Sequence, residues 1–386
     1  MKMEGYRVID LSQFLPGPHL TMILADNGAD VIKIENTGEG EPTRHIGLKK
    51  GKETVYFRNT QRGKRSLTLD LKAEEGREIL LKLAETADIL VESFRPGVMK
   101  RLGLDYETVR KRAPQIVYAS MSAFGQEGRY AQRPAHDMAV QSYAGMFSLN
   151  QDRNGRPVHA NMPSADMLNS QMTLNGILMA LLRREKTGKG DYVDCAMYDC
   201  VVSWSANVTG PVFAEGRSPE PASERTLGGA AFYQIYETKD GRYITLGGSE
   251  IKFATNLLNA LDRPDLIDLC KQPPGPVQKP VQEFLEGVFL TRTMAEWEEW
   301  IEDKDVCFGP VRTLHEAYQH PFMQEREMLL FDENGLEHIG LPIKYRDEPG
   351  RVSFQVPDQG QHTAEILADL GYDGETVKAL KEKGVW

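Results

Sequence analysis

No apolar stretch in this 386-residue chain is long enough to cross a membrane as a helix, and the polar start MKMEGYRVIDLS has no signal-peptide core. Cysteine is scarce. The four present (Cys195, Cys200, Cys270 and Cys307) lack zinc-binding spacing and are too few for a disulfide scaffold. Positive charge is in deficit, with 46 Lys and Arg against 56 Asp and Glu, and the net charge of -10 argues against a general nucleic-acid binder. No G-x-G-x-x-G follows the first expected strand, and no G-x-x-x-x-G-K-[ST] occurs anywhere. The expectation is a cytoplasmic protein in a reducing compartment, with no membrane span, no nucleic-acid partner, no metal site and no tightly bound cofactor.

What is present is ordinary globular material, 40% hydrophobic and 26% charged, and long enough for two domains or one large one. YRVIDLS reads as a buried strand, PGPHLTMILADNGADV as a turn and a short helix ended by Asn27-Gly28, and VIKIE as the next strand. SLTLDL, ADILVES and QIVYASMSAF continue the pattern, with helical spacing in EEGREILLKLAETA. Five strands by residue 124, with helices between most of them, predict a doubly wound, Rossmann-like α/β domain. A second α/β pattern begins near 228. FYQIYET, a Lys-Asp-Gly turn and RYITLGG read as a hairpin, followed by helices in IKFATNLLNAL and TMAEWEEWIED and a strand in VCFGPVRTL. After 321, MLLFDENG, LEHIGLP and GRVSFQV look like strands, and HTAEILADLGYDGETVKALKEKGV like a helical pair.

Three ionisable residues stand in segments that are otherwise apolar or glycine-rich: His136 in RPAHDMAVQSYAG, Asp166 in NMPSADML and Glu250 in ITLGGSEIKF. Together they suggest a site assembled from distant parts of the chain. A carboxylate with a His can move protons, and a carboxylate alone can form a covalent acyl intermediate. Asp166 falls near the start of the helix in MLNSQMTLNGILMALLRREKTGKG, where the dipole favours negative charge. The local sequence fits an N-cap at Asp166 or Ser164 equally well. Basic residues surround SLTLDL (Arg58, Arg62, Lys64, Arg65, Lys72) and follow ILVES (Arg95, Lys100, Arg101). Strand ends of an open sheet are where ligands bind, and cations there suit an anionic one. The loop GEGEP at 38–42 carries acids that would repel phosphate and reads as a mobile surface loop.

The segments VIDLSQFLPGPHLTMILADNGADVIKIE, NTQRGKRSLTLDLKAEEG, ILVESFRPGVMKRLGLDYE, ALLRREKTGKGDYVDCAMYD and ILADLGYD resemble the class III CoA-transferase family. That family includes α-methylacyl-CoA racemase, formyl-CoA transferase and carnitine CoA-transferase. The resemblance implies an acyl-CoA thioester substrate, with coenzyme A as part of it, and an interlocked homodimer; a heteromer with a similar subunit stays open. It implies a large domain from 1–224 and 326–386 and a small domain at 225–325. Asp166 matches the family's catalytic aspartate. In the transferases this residue takes the acyl group as a mixed anhydride while CoA passes between acids. In the racemases it shares α-proton transfer with a His, oriented by a Glu. His136 and Glu250 match those two positions, which makes a racemase of 2-methylacyl-CoA-type thioesters the leading expectation. A CoA-transferase with an acceptor carboxylic acid is the alternative, because Leu168, Asn169, Ser170 and Gln171 replace the racemase glycine run and VQSYAGM is transferase-like. Leu69, Lys72, Ser93, Phe94, Arg95 and Arg101 align with residues lining the CoA site, with Asn36 in place of a family arginine.

Overall fold

Alternation of side chains along five short segments builds the sheet that the sequence predicts. Strands β1 (Arg7–Leu11), β2 (Asp30–Glu35), β3 (Arg65–Thr68), β4 (Ile89–Glu92) and β5 (Val117–Ser122) are joined by β6 (Tyr192–Ala196) in the order β3-β2-β1-β4-β5-β6, every pair parallel. The structure, a computed structural model, describes residues 1–152, 154–159 and 162–386.

Because successive strand residues face opposite ways, the sheet buries two separate cores. One face presents Ile9, Ile32, Leu67 and Leu90 to α3 (Glu74–Ala84), α5 (Tyr106–Arg112) and the terminal helices Thr363–Asp369 and Gly374–Glu382. The other presents Val8, Val31, Val91 and Val117 to α1 (Pro16–Asp26) and α7 (Ser164–Thr187), through Leu20, Leu24, Leu174, Ile177 and Leu181. Shorter helices α2 (Val55–Gln61), α4 (Val98–Leu102), α6 (Asp137–Tyr143) and α8 (Met197–Ser203) lie in the connections. No helix of the described residues is long and apolar enough to cross a membrane.

The described residues form two compact units. The first is Met1–Ala144, Asn161–Trp204 and Pro321–Trp386; the second is Gly145–Ala160 and Ser205–His320. Residues 145–160 and 205–224 thus group with the second unit, whereas the expected boundaries set them in the large domain. In the second unit the expected hairpin forms as β7 (Tyr233–Glu237) and β8 (Tyr243–Gly247), and β9 (Phe308–Pro310) adds an antiparallel edge. Its core centres on Leu257, Leu285, Phe289 and Trp297.

Two readings of the chain differ from the structure. MLLFDENG and LEHIGLP do pair, as β10 (Leu329–Phe331) and β11 (Glu337–Ile339). GRVSFQV is not a strand: its backbone bonds go to scattered partners, Arg351 N–H to the Asp26 carbonyl and Gly63 N–H to the Gln355 carbonyl, so no ladder forms. The GEGEP loop is pinned rather than loose. Asn36 Nδ2 donates to the Gly40 carbonyl at 2.9 Å, its Oδ1 accepts from Gly38 N–H at 2.9 Å, and Glu41 is buried.

Beneath the carboxyl end of β1 lies a buried ionic cluster. Asp10 accepts from Thr21 Oγ1 at 2.7 Å and Lys64 Nζ at 3.0 Å, with Lys33 Nζ 3.7 Å away. Lys33 also pairs with Glu41 at 3.0 Å, and all four ionic groups are at most 4% exposed. Burial opposes ionisation of Asp10, but Lys33 and Lys64 outweigh it and hold the carboxyl well below its ordinary range. Removing one partner leaves buried charge uncompensated. Asp10→Ala is therefore expected to lose about 3–5 kcal/mol in urea unfolding. A loss under about 1 kcal/mol would show that the cluster does not hold the fold.

Candidate active site

The order of strands reverses between β1 and β4, and the crevice at their carboxyl ends is the place where open α/β sheets bind ligands. The two loops there are tied together by Gln13 N–H donating to Ser93 Oγ at 3.0 Å. Gly17, at the start of α1, comes so close to the β1 loop that an added Cβ would lie 2.1 Å from Ser12 Cβ. Phe14 takes a left-handed backbone, φ 65°, which is costly for an aromatic residue, and Glu41 Oε1 holds it by accepting its N–H at 2.9 Å. The Phe14 ring meets the His136 ring edge-on, centroids 6.3 Å apart. His136 is exposed, and no described residue hydrogen-bonds its ring.

Asp166 lies in the first turn of α7, as the sequence predicts. Neither it nor Ser164 caps the helix. Pro163 occupies the N-cap position and offers no side-chain acceptor. The cap comes from Asp137, the residue after His136: its Oδ1 accepts from Ala165 N–H at 2.7 Å and Asp166 N–H at 3.3 Å. Its Oδ2 accepts from the Nε2 of buried Gln141 at 2.6 Å. The Asp166 carboxyl is pushed up to about 7 by burial and then by the charge of Asp137. No described residue donates a hydrogen bond to it.

Two further residues at this site carry no signal in the sequence. Tyr56 on α2 is pushed up to about 12 by burial and by the charges of Asp166 and Glu41, so it stays a hydroxyl donor at neutral pH. His19 on α1 pairs its Nδ1 with Ser170 Oγ at 3.0 Å, one turn beyond Asp166. Burial, then Lys64 and Arg62, push His19 down to about 4, so it is neutral. Glu250 belongs to the second unit. It is exposed at the N-cap position of the helix Ile251–Ala260 and makes no side-chain cap bond. Among the described residues no cluster of three or more His, Cys, Asp or Glu could hold a metal ion.

The basic cluster around β3 is consumed internally. Arg62 pairs with Asp26 at 2.7 Å, Lys64 with Asp10, and Arg65 with Asp30 at 2.7 Å, while Arg58 is buried. This corrects its reading as a ligand surface, because charge composition cannot show pairing. Lys72, Arg95 and Arg101 remain exposed, and no carboxylate of the described residues pairs with them. Arg95 and Arg101 flank Gly97, whose missing Cβ would sit 3.3 Å from Arg101 Nη1. Phe94 is half-buried against the core, and its N–H donates to Glu92 Oε2 at 2.8 Å. Burial pushes the Glu92 carboxyl up to about 7. The Leu69 side chain is buried in the core, so it presents no side-chain surface to a ligand.

The sequence profile described as CoA-transferase family III matches residues 3–363. An acyl-CoA transferase of Fusarium pseudograminearum is 32% identical, over 99% of this chain and 88% of its own length. Alpha-methylacyl-CoA racemase of Mus musculus is 31% identical, over 98% and 96%. Further relatives carry CoA-transferase names. The crystal structure of a CAIB/BAIF family protein from Brucella suis superimposes with a TM-score of 0.82 at 29% identity, covering 95% of this chain and 99% of that one.

The raised Asp166 carboxyl has a consequence for stability. A native value near 7 against an ordinary 3.8 means the folded state holds the proton more tightly, so stability falls as pH rises between those values. Asp166→Asn should accordingly be more stable than wild type at pH 8, by about 1–3 kcal/mol after allowance for solvent screening, with the gap closing towards pH 4. Urea midpoints at both pH values measure this. A pH-independent difference would mean that Asp166 is not destabilised as an anion.

Proposed function

This chain belongs to CoA-transferase family III and is an enzyme of that family, acting on CoA thioesters; from that premise we propose that it moves CoA between carboxylic acids through an acyl anhydride on Asp166. The carrying observation is the Asp166 carboxyl at the start of α7, partly buried, without a hydrogen-bond donor among the described residues and raised near neutrality. Such a carboxylate, once ionised, is a better nucleophile than a solvated one. Its oxygen attacks the thioester carbonyl, the C–S bond breaks, and CoA leaves as thiolate. The thiolate attacks the Asp166 carbonyl of the anhydride and frees the first acid as carboxylate. The acceptor carboxylate then attacks the Asp166–CoA thioester, expelling the thiolate again and forming a second anhydride. Attack of the thiolate on the acceptor acyl carbon regenerates Asp166 and releases the new acyl-CoA. Tyr56, as a hydroxyl, is suited to bond the oxyanion formed in these steps.

The sequence favours the racemase through His136 and Glu250. The transferase names of most relatives cited above weigh the other way. So does the ring of His136, because a proton carrier needs a partner that fixes its tautomer and orientation. One observation still favours α-proton transfer: a carboxyl near 7 both gives and takes a proton at neutral pH.

Lys72, Arg95 and Arg101 meet the phosphates of CoA in this reading, and Ser93 and Phe94 shape the same loop. The interlocked homodimer is part of the proposal too. Met179, Leu182 and Trp204 are 63%, 69% and 63% exposed, large apolar side chains of the kind a second subunit would cover.

Hydroxylamine should convert Asp166 to its hydroxamate in the presence of acyl-CoA, and Asp166→Ala should abolish transfer in a folded protein. Deuterium entering the α-carbon from heavy water, with no trapping at Asp166, would replace the transferase reading by the racemase one. Arg95→Ala and Arg101→Ala should each weaken CoA binding by about 1–3 kcal/mol. Calorimetry giving unchanged affinity in both would remove them from the CoA site.

A further inference from the structure

A helix leaves its first backbone N–H groups without partners, and a carboxylate in the first turn ordinarily turns back to accept them. Asp166 has that opportunity at the start of α7 and does not use it, because Asp137 reaches in from α6 and occupies the N–H groups of Ala165 and Asp166 itself. The second oxygen of Asp137 is held by Gln141, which is 4% exposed, so the capping carboxylate has a fixed orientation. We propose that Asp137 is a positioning residue for acyl transfer: by taking the amides at the start of α7 it fixes the first turn and leaves the Asp166 carboxylate unbonded and reactive.

The proposal rests on the transferase reading of Asp166 and extends it to a residue 29 positions away in the chain. Two effects follow from the one contact. Mechanically, the turn that carries Asp166 is anchored to α6 rather than fraying as a helix end does. Electrostatically, the helix N-terminus is neutralised by a different carboxylate, so it does not lower the basicity of Asp166, and the like charge raises it further. Among the described residues, the titratable groups that act on Asp166 or feel its charge are Asp137 from α6 and Tyr56 from α2. One turn on, His19 of α1 bonds Ser170, and on the β6 and α8 side Cys195 and Cys200 lie against Asn169. None of these is a cation that would offset Asp137.

Two substitutions separate positioning from bulk structure. Asp137→Asn keeps an oxygen for the two amides and removes the charge. Asp137→Ala frees the amides, to which Asp166 can then turn. In the alanine variant kcat and the rate of hydroxylamine trapping at Asp166 should fall together by roughly 10–100-fold, with KM for acyl-CoA nearly unchanged. The asparagine variant should recover most of that loss. In both, the acid limb of the kcat/KM profile should move to lower pH. Wild type that is not trapped at all would sink the transferase reading itself. Trapped wild type with equal trapping and an unmoved acid limb in either folded variant would overturn the role of Asp137 alone. Equal losses in both variants without any shift of the acid limb would also overturn it, since they describe a structural residue only. Should the alanine variant fail to fold, the acid limb of the asparagine variant decides.

Discussion

The carboxyl end of β1 rests on Asp10, held between Lys33 and Lys64 with no access to water. The two lysines spread this constraint outward. Lys64 also donates to the Pro18 carbonyl at 2.9 Å, and Lys33 bonds the Ser12 carbonyl, so both ends of the loop between β1 and α1 are fixed from below. Glu41, the second acid on Lys33, fixes the middle by holding the strained backbone of Phe14. A buried ion cluster is a poor source of net stability, since desolvation cancels much of the attraction. Its value here is geometric. The loop it fixes carries Phe14 against His136, and the residue next to His136 caps the helix of Asp166.

The parallel sheet was legible because its strands are short apolar runs separated by helical spacing, and buried parallel strands leave that signature. β6 was not separately legible. Its residues Tyr192 to Cys195 are only partly buried or exposed, so YVDCA lacks the continuous apolar run of β4. GRVSFQV misled in the opposite direction, since its alternation is that of a strand while its backbone bonds go to scattered partners and no ladder forms. Periodicity reports which side of a segment is buried, and hydrogen-bond partners must be found elsewhere.

At the site, the position of Asp166 was readable from the helix that follows it, but its surroundings were not. The cap on α7 comes from another helix, and nothing in NMPSADML records that its amides are already taken. The histidine that stands out in sequence, His136, lies one residue before Asp137, which bonds Gln141 and the first amides of α7. Tyr56 and His19 sit in segments with no catalytic pattern and matter only through the fold. The cations around β3 show the same limit: Arg62, Arg65 and Lys64 are attractive in sequence and spent in structure, whereas Arg95 and Arg101 remain open.

One carboxyl near neutrality can serve either of two chemistries, and Asp166 by itself does not choose between them. Both place a carboxyl close to a thioester, as a proton carrier in one and as a nucleophile in the other. They diverge at the opposite side of the substrate. Proton exchange needs a second carrier held in one orientation, so that its proton points at the α-carbon. Acyl transfer needs no second carrier, only donors for the oxyanion and space for two acids in turn. His136 meets the Phe14 ring and no described residue hydrogen-bonds it, while Tyr56 keeps a hydroxyl near the charge of Asp166. A hydroxyl donor near a carboxylate that no described residue hydrogen-bonds is compatible with acyl transfer. Under that reading the strained backbone of Phe14 would serve to hold its ring against the imidazole of His136.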